Sequence, residues 1–171
     1  EFEFEGLTLG ATKEAVVDAW GPPSFEGTGT IEYANRGAFA SVQLRFKSVP
    51  LARNVQPEAV RESGDDRPFE FLTTITLTPA ERRDKAEMRP QLVSLYGEPL
   101  ADPSLEESLS CRTPLCEVFR AGECALLRVE WDGVSSGTGI REAAASLSYV
   151  LTPDSLITDV PRTLWPSLRG A

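Results

Sequence analysis

Three stretches of this chain alternate apolar and polar residues with a period of two. "FASVQLRFK" (39–47) puts Ala40, Val42, Leu44 and Phe46 on one side and Ser41, Gln43, Arg45 and Lys47 on the other. "LLRVEWD" (126–132) sets Leu127, Val129 and Trp131 against Arg128, Glu130 and Asp132. "EAAASLSYVL" (142–151) does the same with Ala143, Ala145, Leu147, Tyr149 and Leu151. Successive side chains of a strand point to opposite faces, so the pattern predicts antiparallel strands with one buried and one wet face. Shorter strands are predicted at Thr30–Ala34 and Cys116–Arg120, the second turning through "RAGE" into its neighbour. Consecutive strands with few helices between them disfavour a doubly wound parallel sheet.

Two short amphipathic helices punctuate this pattern, and each ends in an aromatic, a glycine, one residue and a proline: "AWGPP" at 19–23 and "LYGEP" at 95–99. For the first, Thr12 is the N-cap, Glu14 lies in the favourable first turn, and Val16, Val17 and Trp20 form the apolar stripe. Gly21 supplies the left-handed C′ position and Pro22 stops the helix. For the second, Met88, Leu92, Leu95 and Tyr96 form the stripe, and Gly97 and Pro99 end it. "TPAE" at Thr78–Glu81 has capping-box spacing, and Pro90 makes residues 79–96 either a kinked helix or two short ones.

The recurrence extends upstream, where "FEFEGLTL" (Phe2–Leu9) matches "FEFLTTITL" (Phe69–Leu77). Read as a duplication, it predicts an α+β fold of two tandem units, each a strand, a helix, Gly-Xaa-Pro and a meander. The units would share one curved antiparallel sheet of about six to eight strands, with the helices on one face. Residues 1–171 then form one domain, with repeats at about 1–68 and 69–151 and a tail at 152–171. Two long connections, 48–68 and 98–115, are read as functional or disordered.

Composition narrows the chemistry. The 171 residues contain no histidine, which removes the commonest general base, the usual triad base and the commonest zinc ligand together. The net charge is −9, with Lys and Arg scattered along the chain, so nucleic acid is not an expected partner. The negative charge serves solubility, and a basic protein partner would also fit it. "GTGT" (27–30) and "SSGTG" (135–139) lack a following helix with a lysine, and read as turns rather than phosphate loops. No apolar run approaches a membrane span, and the chain starts without Met or a basic-then-apolar segment. That start suits a mature product as well as a trimmed chain, so membrane attachment is expected only through a removed N-terminal anchor.

Cys111, Cys116 and Cys124 sit in "CRTPLCEVFRAGEC". A three-thiolate metal site lacks a fourth ligand and the tight zinc-knuckle spacing, and neither metal nor cofactor is expected. A disulfide in an oxidising compartment is favoured, with Cys111–Cys116 preferred to Cys116–Cys124; three reduced thiols in a cytosolic protein are the alternative. As a carboxylate acid–base pair, Glu130 and Asp132 share a strand face, and Asp65–Asp66 are adjacent in a loop. Neither pair has the scattered, converging pattern of a catalytic site. Trp165, in the tail, reads as a core plug.

"GLTLGATKEAVVDAWGPP" (6–23) resembles a helix-and-turn signature of small bacterial envelope proteins. It is shared by SmpA/OmlA-type outer-membrane assembly lipoproteins and by tandem-repeat β-lactamase inhibitory proteins. Gly6, Leu9, Gly10, Thr12, Val16, Gly21 and Pro23 match it. The resemblance implies a non-catalytic envelope protein, periplasmic or outer-membrane-associated, that binds another protein as inhibitor, assembly factor or adaptor. The matched positions are structural, so no binding residue transfers. On the sheet pattern itself, the polar-face residues Gln43, Arg45, Arg128 and Glu130, helped by the long loops, are the candidate protein-binding residues. The competing readings are an enzyme using carboxylates or a cysteine, and an acidic cytosolic protein that neutralises a basic partner.

Overall fold

Each alternating segment becomes a strand, and together the strands make up most of the structure. A computed structural model describes residues 3–49, 69–111, 115–122, 125–136 and 139–151. The strands are β1 (Phe25–Gly27), β2 (Thr30–Arg36), β3 (Phe39–Val49), β4 (Phe69–Pro79), β5 (Cys116–Gly122), β6 (Ala125–Ser136) and β7 (Gly139–Leu151). All pairs are antiparallel, in the order β1-β2-β3-β4-β7-β6-β5. The helices are α1 (Lys13–Trp20), α2 (Lys85–Tyr96) and α3 (Pro103–Ser108), of 8, 12 and 6 residues. "GTGT" is the hairpin turn between β1 and β2, with Gly27 opposite Thr30.

The register shows how the core is built. Ile31, Leu44, Ile75, Tyr149, Leu127 and Phe119 stand opposite one another across six strands. Beside them runs Tyr33, Val42, Leu77, Leu147, Val129 and Glu117. Residues in register share a face, and these rows belong to the same buried cluster as Val16 of α1 and Leu92 of α2, with Tyr149 half-buried against it and the charged Glu117 the exception. One sheet face is therefore roofed by two helices, and burial of its apolar rows drives the fold.

This largely β architecture overturns the predicted balanced α+β fold of two tandem repeats with all helices on one face. Among the described residues the helices are few and short, and α3 packs on the other face, as described below. Among the described residues 3–9 the supposed first strand does not form either. Glu5 (φ 45°) and Gly6 (φ 83°) fold Phe4 and Leu7 back on each other, with N–H to carbonyl bonds of 2.8 Å in both directions. A Glu-Gly pair tolerates two positive φ angles, whereas Leu72-Thr73-Thr74 at the matching place holds extended backbone through its β-branched residues. The turn is fastened from outside. Trp20 Nε1 donates to the Glu5 carbonyl at 3.2 Å, and Arg36, stacked on Trp20 at 3.8 Å, pairs with the Glu5 carboxylate at 2.9 Å.

Two further expectations change. "TPAE" does not start a helix, because Thr78 and Pro79 complete the ladder with β3; α2 begins after Asp84 and runs as one helix through Pro90. In β7 the register slips between Glu130 and Trp131, leaving Ala145 as an extra residue. Ala144 rather than Ala145 therefore joins the core cluster. The cap on α1 forms as the sequence indicates: Thr12 Oγ1 accepts from the Ala15 N–H at 3.2 Å.

Candidate functional site

Two rows also define the face turned away from α1 and α2. One crosses all seven strands: Phe25, Glu32, Gln43, Thr76, Ser148, Arg128 and Val118. The next is Thr30, Arg45, Thr74, Val150, Leu126 and Arg120. Glu130 lies opposite Ser146 on the same side. All four sequence-derived binding candidates therefore share one face, though they do not share one environment.

Over β5 and β6 this face is covered. Leu100, Leu105 and Leu109, from the segment carrying α3, pack on Cys111, Cys116, Val118 and Leu126 in a second apolar cluster. The Cys111–Cys116 disulfide ties the segment to the start of β5, with the Cα atoms 5.1 Å apart. Both sulfur residues are buried. Such a bond belongs to an oxidising compartment. Arg128 completes the attachment: its guanidinium donates to the carbonyls of Leu109 at 3.0 Å and Ser110 at 3.3 Å. Glu130 lies 3.5 Å from Arg128 and accepts from Ser146 at 3.3 Å. Arg128 is thus occupied in holding the α3 segment down, and Glu130 in pairing with Arg128 and Ser146.

Over β1–β4 and the adjoining part of β7, no helix among the described residues covers the face. Thr76 and Ser148 share a hydrogen bond of 3.1 Å, Ser41 donates to Glu32 at 2.9 Å, and Gln43 lies half-buried between them. Arg45 and Lys47 are exposed, two residues apart on β3. Among the described residues, they are the Lys and Arg side chains that hold no hydrogen bond or ion pair. At the β1 edge Phe25 is 61% exposed, its ring lying over Gly27, where a Cβ would meet ring carbon Cε1 at 3.3 Å. Phe25, Lys47 and the hydroxyls of Thr74 and Thr76 were not singled out from the sequence. The signals were there, in the period-two threonines of "TTITLT" and in Phe-Xaa-Gly ahead of a turn.

The opposite side holds a charged cluster in which each group has a partner. A cavity of about 480 Å³ lies between α2 and β7, lined by Asp84, Lys85, Arg89, Arg141 and Glu142. Arg141 pairs with Asp84 at 2.9 Å and Lys85 with Glu142 at 3.1 Å, while Arg89 reaches Glu117. Asp132 pairs with Arg82 at 3.1 Å, so Glu130 and Asp132 are drawn to different partners and do not converge. No group of three or more His, Cys, Asp or Glu side chains able to hold a metal occurs among the described residues, and no helix there is long and apolar enough to cross a membrane. Asp65–Asp66, Cys124, Trp165 and the 50–68 connection lie outside the described residues. Comparison with protein-family models, with curated proteins and with solved structures finds no match to this chain.

Proposed function

We propose that this chain is a non-catalytic protein-binding module of the bacterial cell envelope, presenting the uncovered face of β1–β4 and β7 to a protein partner. The observation that carries this reading is the contrast between the two halves of one sheet face. Over β5 and β6 the apolar patch formed by Cys116, Val118 and Leu126 is sealed by the α3 segment, with Arg128 bound to that segment's carbonyls. Over β1–β4 it is a polar ladder with an exposed phenylalanine at its edge and two unpaired cations, Arg45 and Lys47, toward one end of β3. A rigid strand platform combining an aromatic anchor with adaptable polar groups suits protein recognition. The buried disulfide supports export, and the Gly-Xaa-Pro helix signature supports the envelope as destination.

The test is capture of a partner from an envelope extract by the full chain and by Thr76→Arg, which sets a long side chain in the middle of the face. Loss of capture by the variant, with an unchanged denaturation midpoint, is the expected result. Equal capture by both proteins would overturn the surface assignment.

A further inference from the structure

We infer that the segment held by this face is an acidic, extended stretch of a partner protein with one apolar side chain. The inference rests on the uncovered face being the binding surface, and it follows from which charges the molecule leaves unmatched. In a chain of net charge −9, every other described Lys and Arg side chain finds a partner within the molecule. The two that do not are Arg45 and Lys47, neighbours on one face of one strand.

Geometry supplies the second step. Same-face residues of a strand are about 6.8 Å apart, which is also the spacing of alternate side chains in any extended peptide. Carboxylates at alternate positions of a partner strand therefore match Arg45 and Lys47 one to one. Phe25 lies two strands away and two residues along, about 12 Å from Arg45 and about 17 Å from Lys47. A segment of about six or seven extended residues covers the path from Phe25 past Arg45 to Lys47, placing one apolar side chain on Phe25 and two carboxylates on the cations. The hydroxyls of Thr74 and Thr76 lie on the same face and can donate to further acceptors.

The net negative charge of the chain does not prevent this contact. At physiological ionic strength charges beyond about 8 Å are largely screened, so the local cations decide what docks. Two cations are also too few for a polyanion that is bound through many phosphates.

The experiment uses the full chain and a fluorescein-labelled ten-residue peptide with Glu at alternate positions and one central Phe, alongside a twin carrying Gln for every Glu. The acidic peptide is expected to bind at least about tenfold more tightly than its twin. Arg45→Glu/Lys47→Glu should erase that preference and transfer it to a Lys-bearing peptide, while Phe25→Ala should weaken both peptides. Equal affinity for the two peptides, no binding of either, or a preference that survives the double charge reversal overturns the inference. Tighter, Arg45- and Lys47-dependent binding of a 20-base-pair DNA duplex or of phosphatidylglycerol vesicles also overturns it, in favour of a polyanion. If the peptide preference fails while Thr76→Arg still abolishes partner capture, the acidic segment falls and the surface stands. If Thr76→Arg leaves capture intact, the surface itself falls.

Discussion

Arg89 on α2 grips both carboxylate oxygens of Glu117 on β5, its Nε at 2.9 and 3.2 Å and its Nη2 at 3.1 Å, while Trp131 Nε1 donates to the same carboxylate at 3.0 Å. Glu117 ends a row of otherwise apolar core residues and is 7% exposed, so its charge is tolerable only because three donors converge on it. Arg89→Ala should therefore destabilise by about 2–3 kcal/mol. That is below the roughly 3–5 kcal/mol typical of breaking a fully buried pair, because the Arg89 side chain is 39% exposed. Arg89→Met/Glu117→Leu should recover most of the loss, since it leaves no charge stranded. Urea denaturation of the three proteins checks this; a double variant as unstable as Arg89→Ala would contradict it.

Arg45 and Arg128 were equivalent in the sequence pattern and should behave differently under charge reversal. Arg128→Glu removes the donors to Leu109 and Ser110 and sets a carboxylate beside their carbonyls and Glu130. A loss of about 1–3 kcal/mol is expected, with faster amide exchange around Leu109. Arg45→Glu touches no partner and should stay within about half a kcal/mol of wild type. Similar denaturation midpoints for the two variants would refute the distinction.

Stability should fall as the pH rises above the ordinary tyrosine range. Burial first, and then the 3.3 Å hydrogen bond to Tyr96, raise the Tyr149 hydroxyl well above its usual value of 10. The unfolded chain then loses this proton before the folded one does. The stabilising contribution is complete below pH 10 and declines as the pH climbs from there toward the folded-state value. Tyr149→Phe, which cannot ionise, should flatten that alkaline limb; thermal melts between pH 8 and pH 11.5 measure it. An alkaline limb as steep in the variant as in wild type would rule Tyr149 out as its source.

Gly21 and Gly97 close α1 and α2 with the same backbone, φ 83° and ψ −172° in one, φ 82° and ψ −175° in the other. The sequence indicated a left-handed glycine; φ is positive as expected, but ψ is extended, a region that glycine alone occupies readily. No atom lies within 4 Å of a Cβ built at either position. Gly→Ala should thus cost about 1–3 kcal/mol at each site from backbone strain alone, with both helices retained in the circular dichroism spectrum. An alanine variant as stable as wild type at either position would show that the turn relaxes without strain.

Much of this molecule is written locally. Val42, Leu44 and Phe46 were assigned to the core by alternation alone, as were Leu127, Val129 and Trp131, because a strand fixes side-chain direction within two residues. Thr12 as cap and both glycine stops are likewise properties of four or five neighbouring residues. The preferred cysteine pairing lies only five residues apart in sequence. What required the fold were relationships between distant residues. Phe4 and Phe71 share a motif, yet one enters a tight turn and the other a central strand, because Glu5 and Gly6 can bend where Leu72 and Thr73 cannot. Leu126 lies on the polar face and is buried only because α3, more than fifteen residues earlier in the chain, covers it. The same covering removed Arg128 from the open surface and left Arg45 on it. Periodicity records which way a side chain points; what lies opposite is decided by chain crossings and bulges, which carry no local signature in the sequence.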